Sequence, residues 1–523
     1  MRRLGPACVA ILLVGVCACD DEGLYSAPRE HLDEATSAVT SNTTGHTTST
    51  HGSGNGSGST GTTSTTSTTG SGSTSSTTTT STTTTTGTST TGSNCTQSAS
   101  APTLSCSRSD GLTTWLALGS DVHLGCTLTS ATESPSSWSG QDALGLFNVD
   151  VRSAPDVVSV GLSDAQVPNN FSDAQLQVTI TANFCDEVPA QTVVTLPVLG
   201  NSIVADHYQG IVKVFSSAGT DKGLFAATAF TGRPNMIANL HNGDVLIGGW
   251  NDTLATGFIV EVDRNGQLVH TFDATDSSSN TLYPGCSSGS GCEVAPFDAA
   301  EGPDGKIWVT INSGVDSTGY LRRFLPSGAY YDTVAEPPSA PISTWLPMGV
   351  VQGPGGEMIV ATGYGHSPPY LAVYPSGSTA GNFVPIDMKT CDQSGTCTEQ
   401  SFNEMGLAGL YWDGQDTLYI ANSWDDDEDS DLGAFDASTF AFLRGTRHPA
   451  GISDLTYNLV GFRSLTGDGD WLLASAWNEC GWAVDRQNLY PVPQQTGVSS
   501  QGCAVGDQSD IYDPRGIAHF SAP

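Results

Sequence analysis

The side chains able to do chemistry in this chain are scattered, and no known catalytic motif gathers them. Aromatic, amide and acidic residues recur in short loops: His207, Trp250-Asn251-Asp252, Asn312, Tyr364 with His366, Asn422-Ser-Trp424-Asp425 and Trp477-Asn478-Glu479. A tryptophan beside amides and carboxylates sets a flat apolar face next to hydrogen-bonding groups, which suits glycans or protein surfaces. The acidic run from Asp425 to Asp431 puts Asp425, Asp427 and Asp429 at the 1, 3, 5 spacing of a calcium loop, joined by Asp431, with Asp436 at position 12. Ser430 stands where such a loop carries glycine, and no helices flank it, so a solvated acidic loop is the competing reading. There is no Gly-x-Ser-x-Gly, phosphate loop or His-Glu-x-x-His, and His207, His366 and His519 stand apart in sequence.

Charge narrows the partners. Against 53 Asp+Glu stand 18 Lys+Arg, a net charge of -35, which leaves no basic footprint for nucleic acid or an anionic membrane. Only 14% of the 523 residues are charged, while Gly numbers 60 and aromatics reach 8%. That balance belongs to turn-rich β structure rather than to a charge-extended chain.

The elements that must position the loop residues repeat. An apolar strand, a Gly/Asp turn and a second apolar strand recur at 234–247, 296–309, 347–360, 406–420 and, more loosely, 460–473. The equivalent positions Leu246, Trp308, Ile359, Tyr419 and Leu472 fall at intervals of roughly 50–60 residues, the spacing of one propeller blade. Residues 513–520 read as a first strand without its second, and residues 200–206 as a second strand without its first. Joined, the two ends spell a sixth unit and remove the exposed sheet edges.

Upstream, residues 95–200 alternate apolar and polar residues in several short strands, as at 122–128 and 176–182, which fits a β-sandwich. Cys126, Trp138 and Cys185 have roughly the spacing of an immunoglobulin domain, and the resemblance is one of spacing. Leu176, Val178 and Ile180 share a face from which Cys185 differs in parity, so a Cys126–Cys185 bridge would require a bulge. The pairing of Cys95, Cys106, Cys126 and Cys185 stays open among three connectivities. Elsewhere Cys286 with Cys292 and Cys391 with Cys397 bracket short loops, which leaves Cys480 to Cys503. An even set in an exported chain points to disulfides, and metal-type C-x-x-C spacing is missing.

The first 94 residues carry no fold. Residues 1–18 read as a leader: Arg2 and Arg3, an apolar stretch from Leu4 to Val16, then Cys17-Ala18-Cys19 before three acids. This resembles the lipobox of bacterial lipoproteins, with Cys19 as the lipidated residue. Residues 19–94 are a tether, almost wholly Ser, Thr and Gly from Ser41 onward, which cannot bury apolar surface. Its 41–94 segment has an average span of about 40 Å. Lipobox and tether together resemble surface lipoproteins of Gram-negative bacteria, so the expected location is the cell envelope, in the outer membrane or at the cell surface, with membrane contact through the anchor alone.

The joined unit, with Pro514 and Gly516-Ile517-Ala518 leading into residues 203–206 and 210–215, resembles the NHL repeat. Residues 201–523 as a whole resemble six-bladed NHL-like propellers. The fold class expected is therefore all-β: an immunoglobulin-like β-sandwich over 95–200, then a six-bladed β-propeller over 201–523. The resemblance implies that the loop residues above share one face with the stapled connections. On that reading His207, Trp250, Asp252, Tyr364, His366, Trp424 and Trp477 bind a glycan or protein partner without catalysis, and the competing reading is that the tryptophans pack between blades. The alternative is a hydrolase or lyase similar to the six-bladed gluconolactonase family, whose divalent metal sits near the channel. The positions comparable to its ligands are Asn235, Phe297, Met348, Ala408, Gly461 and Arg515, of which only Asn235 suits a hard cation. That alternative places a site at the channel mouth around Asn235 and Arg515. Calcium is the single cofactor the sequence suggests.

Overall fold

In the computed structural model, residues 102–521 are described apart from 109–121, 155–156, 165, 186, 217–219, 284–293, 314–317, 339–344, 363–368, 392–394, 400–405, 423–431, 447–461, 469, 477–479, 488, 492–510 and 512. All regular elements among them are strands, paired in antiparallel sheets.

Alternation builds the first unit. Val122 and Leu124 are buried while His123 between them is exposed, and Leu176, Val178 and Ile180 share a buried face. One sheet runs Thr103–Arg108, Val122–Thr129, Val157–Asp164, Phe147–Ala154. A second runs Ser137–Asp142, Ala174–Asn183, Ala190–Val198. Both feed one hydrophobic cluster, against which Trp138 also packs. Cys126 lies directly opposite Cys106 in the neighbouring strand and is bonded to it. The open cysteine pairing is thereby decided at this position: the bridge staples two strands of one sheet, so no Cys126–Cys185 bridge of immunoglobulin type forms. Cys185 is itself disulfide-bonded.

After residue 200 the described residues contain six four-stranded sheets. Five have a first strand nearest the chain start: Arg233–Asn239, Val294–Glu301, Pro347–Gln352, Leu407–Trp412 and Phe462–Asp468. Their second strands are Val245–Asn251, Ile307–Ser313, Met358–Thr362, Thr417–Asn422 and Trp471–Ala476. In the remaining sheet Pro514–His519, near the chain end, pairs with Ser202–Asp206, as the two unmatched ends of the repeat require. Each first strand packs against the first strand of the next sheet in sequence. Phe462–Asp468 packs on Pro514–His519, and Pro514–His519 packs on Arg233–Asn239. Turns between first and second strands demand left-handed backbone, supplied by Gly243, Gly305, Gly356 and Gly414 at φ of 85°, 69°, 78° and 78°.

The two-sheet unit is tied to these sheets by backbone. Asn201 donates to the Phe171 carbonyl, Phe520 to that of Asn201 and Asp173 to that of Phe520. The Cys391–Cys397 bond closes the small hairpin Lys389–Cys391 with Cys397–Glu399, as the spacing predicts. Two such bonds indicate an oxidising, extracytoplasmic compartment. Cys19, Cys286, Cys292 and Cys503 lie outside the described residues, as do residues 1–94; Cys480 opens the strand Cys480–Asp485. No helix among the described residues is long and apolar enough to cross a membrane.

Candidate functional site

Each first strand carries an irregularity near its start. Register shifts fall between Pro234 and Met236, Pro296 and Asp298, Pro347 and Val350, Leu407 and Leu410, Phe462 and Ser464, and Pro514 and Gly516. A bulge adds a residue on one strand and re-aims its neighbours. The expected series of comparable positions therefore needs one correction. In the fifth copy the bulge falls on Arg463, two residues after the expected Gly461, which lies outside the described residues.

Just past the bulge, neighbouring first strands approach closely. A Cβ on Gly349 would stand 2.1 Å from the Ala408 carbonyl oxygen, and one on Gly516 would stand 2.7 Å from the Ile237 nitrogen. Hydroxyls on second strands fill the same seam. Ser475 Oγ accepts the Ser464 N–H at 3.1 Å and donates to the Arg515 carbonyl at 3.1 Å. Thr310 Oγ1 does the same between the Asp298 N–H, at 3.0 Å, and the Met348 carbonyl.

Asp298 occupies the seam position that is Gly in three other copies. Its Oδ1 accepts the Ala299 N–H at 2.8 Å and its Oδ2 accepts the Val350 N–H from the next sheet at 2.9 Å. Burial raises its carboxyl to about 7, although both N–H groups act to lower it. Among the described residues no Lys, Arg or His pairs with it.

Asp298 borders a cavity of about 400 Å³ lined by the first strands of all six sheets, or by the turns that follow them. Its polar lining comprises Asn239, His241, Glu301, Gln352 and Thr466 besides Asp298; Trp412 adds an aromatic ring. His241 Nδ1 meets Glu301 Oε2 at 2.9 Å, and Thr466 Oγ1 lies 3.2 Å from His519 Nδ1. His519 Nε2 in turn faces Asp173 of the two-sheet unit at 3.4 Å. The cavity thus begins just past the bulges, at Asp298, and extends toward the turn end of the first strands.

The residues expected at the opposite end are packed into the fold. Trp250 is buried with Met236, Leu282 and Tyr283, so it offers no face to a ligand: its role is packing. Asn235 and Arg515 are both buried; Asn235 donates to the Pro296 carbonyl and accepts from Arg515, whose guanidinium also engages Asp513. The Asn235 amide is thus engaged on both sides within the fold, its oxygen by Arg515 and its nitrogen by the Pro296 carbonyl. His207 is buried and its backbone N–H donates to the Asp513 carbonyl. Asn312 is buried against Met348 Sδ at 3.4 Å. Asp252 pairs with Arg233 at 2.9 Å on the surface. Tyr364, His366, Trp424, Asp425, Asp427, Asp429, Asp431 and Trp477 lie outside the described residues. Asp436 ends the strand Leu432–Asp436, where its Oδ1 accepts hydrogen bonds from Ser438 and Thr439 that hold its carboxyl down at about 2. Among the described residues, no group of three or more His, Cys, Asp or Glu side chains is arranged to hold a metal ion.

Asp298 was absent from the candidates drawn from sequence. Its one signal was a carboxylate at a repeat position that carries Met236, Gly349, Gly409, Ser464 and Gly516 in the other copies.

No family model and no curated protein matches the chain. Among solved structures it is similar to the computationally designed Ika8 protein, at a TM-score of 0.30 and 12% identity over 66% of this chain and 86% of that one, a likeness too distant to carry an argument.

Proposed function

We propose that this chain is a lipid-anchored binding protein of the cell envelope, whose six sheets close as a six-bladed, NHL-like β-propeller beside an immunoglobulin-like β-sandwich, and that the central cavity receives a small polar ligand. The observation that carries this reading is a cavity to which the first strands of all six sheets contribute. The cyclic order of first-strand contacts and the pairing of the chain end with Ser202–Asp206 support the closure. The leader, Cys19 and the Ser/Thr/Gly tether support anchoring at the surface of a Gram-negative envelope. Recognition moves from the loop face, where Trp250 is core, to the cavity. A glycan or protein partner would engage through a small polar terminus that fits there.

A second reading, a propeller hydrolase or lyase, is favoured by the placement of Asp298 on the cavity wall, where burial pushes its carboxyl up to about 7, a range suited to a general acid or base. In this version Asp298 is the proton-transfer group, and no group of three or more His, Cys, Asp or Glu side chains stands beside it among the described residues. The test is a thermal-shift screen of small polar compounds on the wild-type protein and on Gln352→Trp, which fills the cavity. Compounds that stabilise only the wild type support the proposal. Equal shifts in both proteins overturn it. Turnover of a stabilising compound, abolished in Asp298→Asn, would select the enzyme.

A further inference from the structure

The cavity's charge points to its ligand, an inference that rests on reading the cavity as the ligand site. Two carboxylates, Asp298 and Glu301, line it, and no Lys or Arg does. Glu301 already has a partner in His241. Asp298 has two backbone N–H donors, one to each oxygen, and no counter-cation among the described residues. Each of its oxygens keeps a further acceptor site. A partly buried carboxylate without a cation is costly, and a ligand that brings one relieves the cost.

The cation's class follows from the donors. Ca²⁺ takes six to eight oxygen ligands, carboxylates prominent among them; of the two carboxylates in the lining Glu301 is engaged by His241, and no group of three or more His, Cys, Asp or Glu side chains stands together among the described residues. An ammonium needs one carboxylate and a few neutral acceptors, which Gln352 and Thr466 can supply. Trp412 adds an aromatic ring to the same lining, and ring faces attract organic cations. An anion would meet two carboxylates and no fixed positive charge.

We propose that the cavity binds a small organic ammonium compound, whose charge pairs with the Asp298 carboxylate and whose carbon skeleton packs on Trp412. Because burial holds a proton on Asp298 near neutrality, the cation competes with that proton. The other titratable groups at the cavity are Glu301 and His241, paired with each other, and behind Thr466 lies His519, held between Thr466 and Asp173.

Calorimetric titration of the full-length protein with benzylammonium and with its neutral isostere benzyl alcohol tests this. At about pH 8 the ammonium should bind at least about tenfold more tightly than the alcohol. At about pH 6 its affinity should fall by about tenfold, the fraction by which protonation depletes the ionised form. Asp298→Asn should lose both the preference and the pH step. If that variant does not fold, the wild-type preference and pH step decide alone. Equal affinity for the two probes, no heat with benzylammonium, or a preference retained in Asp298→Asn overturns the inference. The cavity reading is judged separately. Equal binding of both probes that Gln352→Trp blocks leaves it standing, whereas binding that Gln352→Trp leaves unchanged overturns it too.

Discussion

The Asp298 carboxylate accepts the backbone N–H of Val350 at 2.9 Å, across the seam between two neighbouring sheets. One side chain thus joins two first strands and faces the cavity between all six. The same contact that helps hold the sheets together ties the fold's stability to the protonation of a cavity-facing group.

That linkage has a sign. The Asp298 carboxyl is raised from 3.8 to about 7 in the folded protein, chiefly by burial. The folded state therefore keeps a proton that the unfolded state releases, and this contribution is full below about pH 4 and lost as pH rises through about 7. Glu261 is raised to about 7 as well, by burial first, so it acts in the same direction. Comparing wild type with Asp298→Asn isolates the Asp298 share. Urea unfolding at about pH 5 and about pH 8 should show the wild type losing on the order of a few kcal/mol more than the variant between the two. Parallel pH profiles would contradict the raised carboxyl.

The seam between first strands makes a steric prediction. Gly349→Ala would put a methyl 2.1 Å from the Ala408 carbonyl oxygen, so a backbone must move. A loss of about 2 kcal/mol or more is expected in chemical denaturation. Gly414→Ala is the comparison. It is strained only by its φ of 78°, with nothing within 4 Å of the added carbon, and should cost about 1–2 kcal/mol. A smaller cost for Gly349→Ala than for Gly414→Ala would refute close packing of the first strands.

Trp250 separates packing from recognition. Because it sits in a core cluster, Trp250→Ala should lose about 3–5 kcal/mol of stability. The remaining folded protein should bind its ligand with unchanged affinity. A folded variant with normal stability and lost binding would restore the loop-face reading.

The disulfides should act on stability in proportion to the loops they close. The Cys106–Cys126 bond spans 20 residues and Cys391–Cys397 spans 6. Chain-entropy arguments assign them about 3 and about 2 kcal/mol. Calorimetric unfolding of Cys106→Ser/Cys126→Ser and of Cys391→Ser/Cys397→Ser should show the larger loss in the first, confined to the two-sheet unit's transition.

Strand positions were legible in the sequence because period-two alternation and Gly/Asp turns are local signals. The pairing of Pro514–His519 with Ser202–Asp206 was legible for another reason: each end lacked the partner that every internal copy supplies. Asp298 was not legible as a site. Its neighbour Val350 lies 52 residues away, and only packing of first strand on first strand makes them adjacent. Trp250 misled in the opposite sense, since an aromatic in a loop-like phrase reads alike whether it caps a blade or packs within it. The comparable position in the fifth copy falls on Arg463 rather than Gly461 because that copy matches the repeat most loosely, so its register was the hardest to fix.

The most direct measurement is a crystal structure of the protein with the compound that stabilises it most in the thermal-shift screen. The account predicts that compound inside the cavity, within hydrogen-bonding distance of the Asp298 carboxylate. Density for it on the outer loops around Asp252 instead, with the cavity unchanged, would contradict the account.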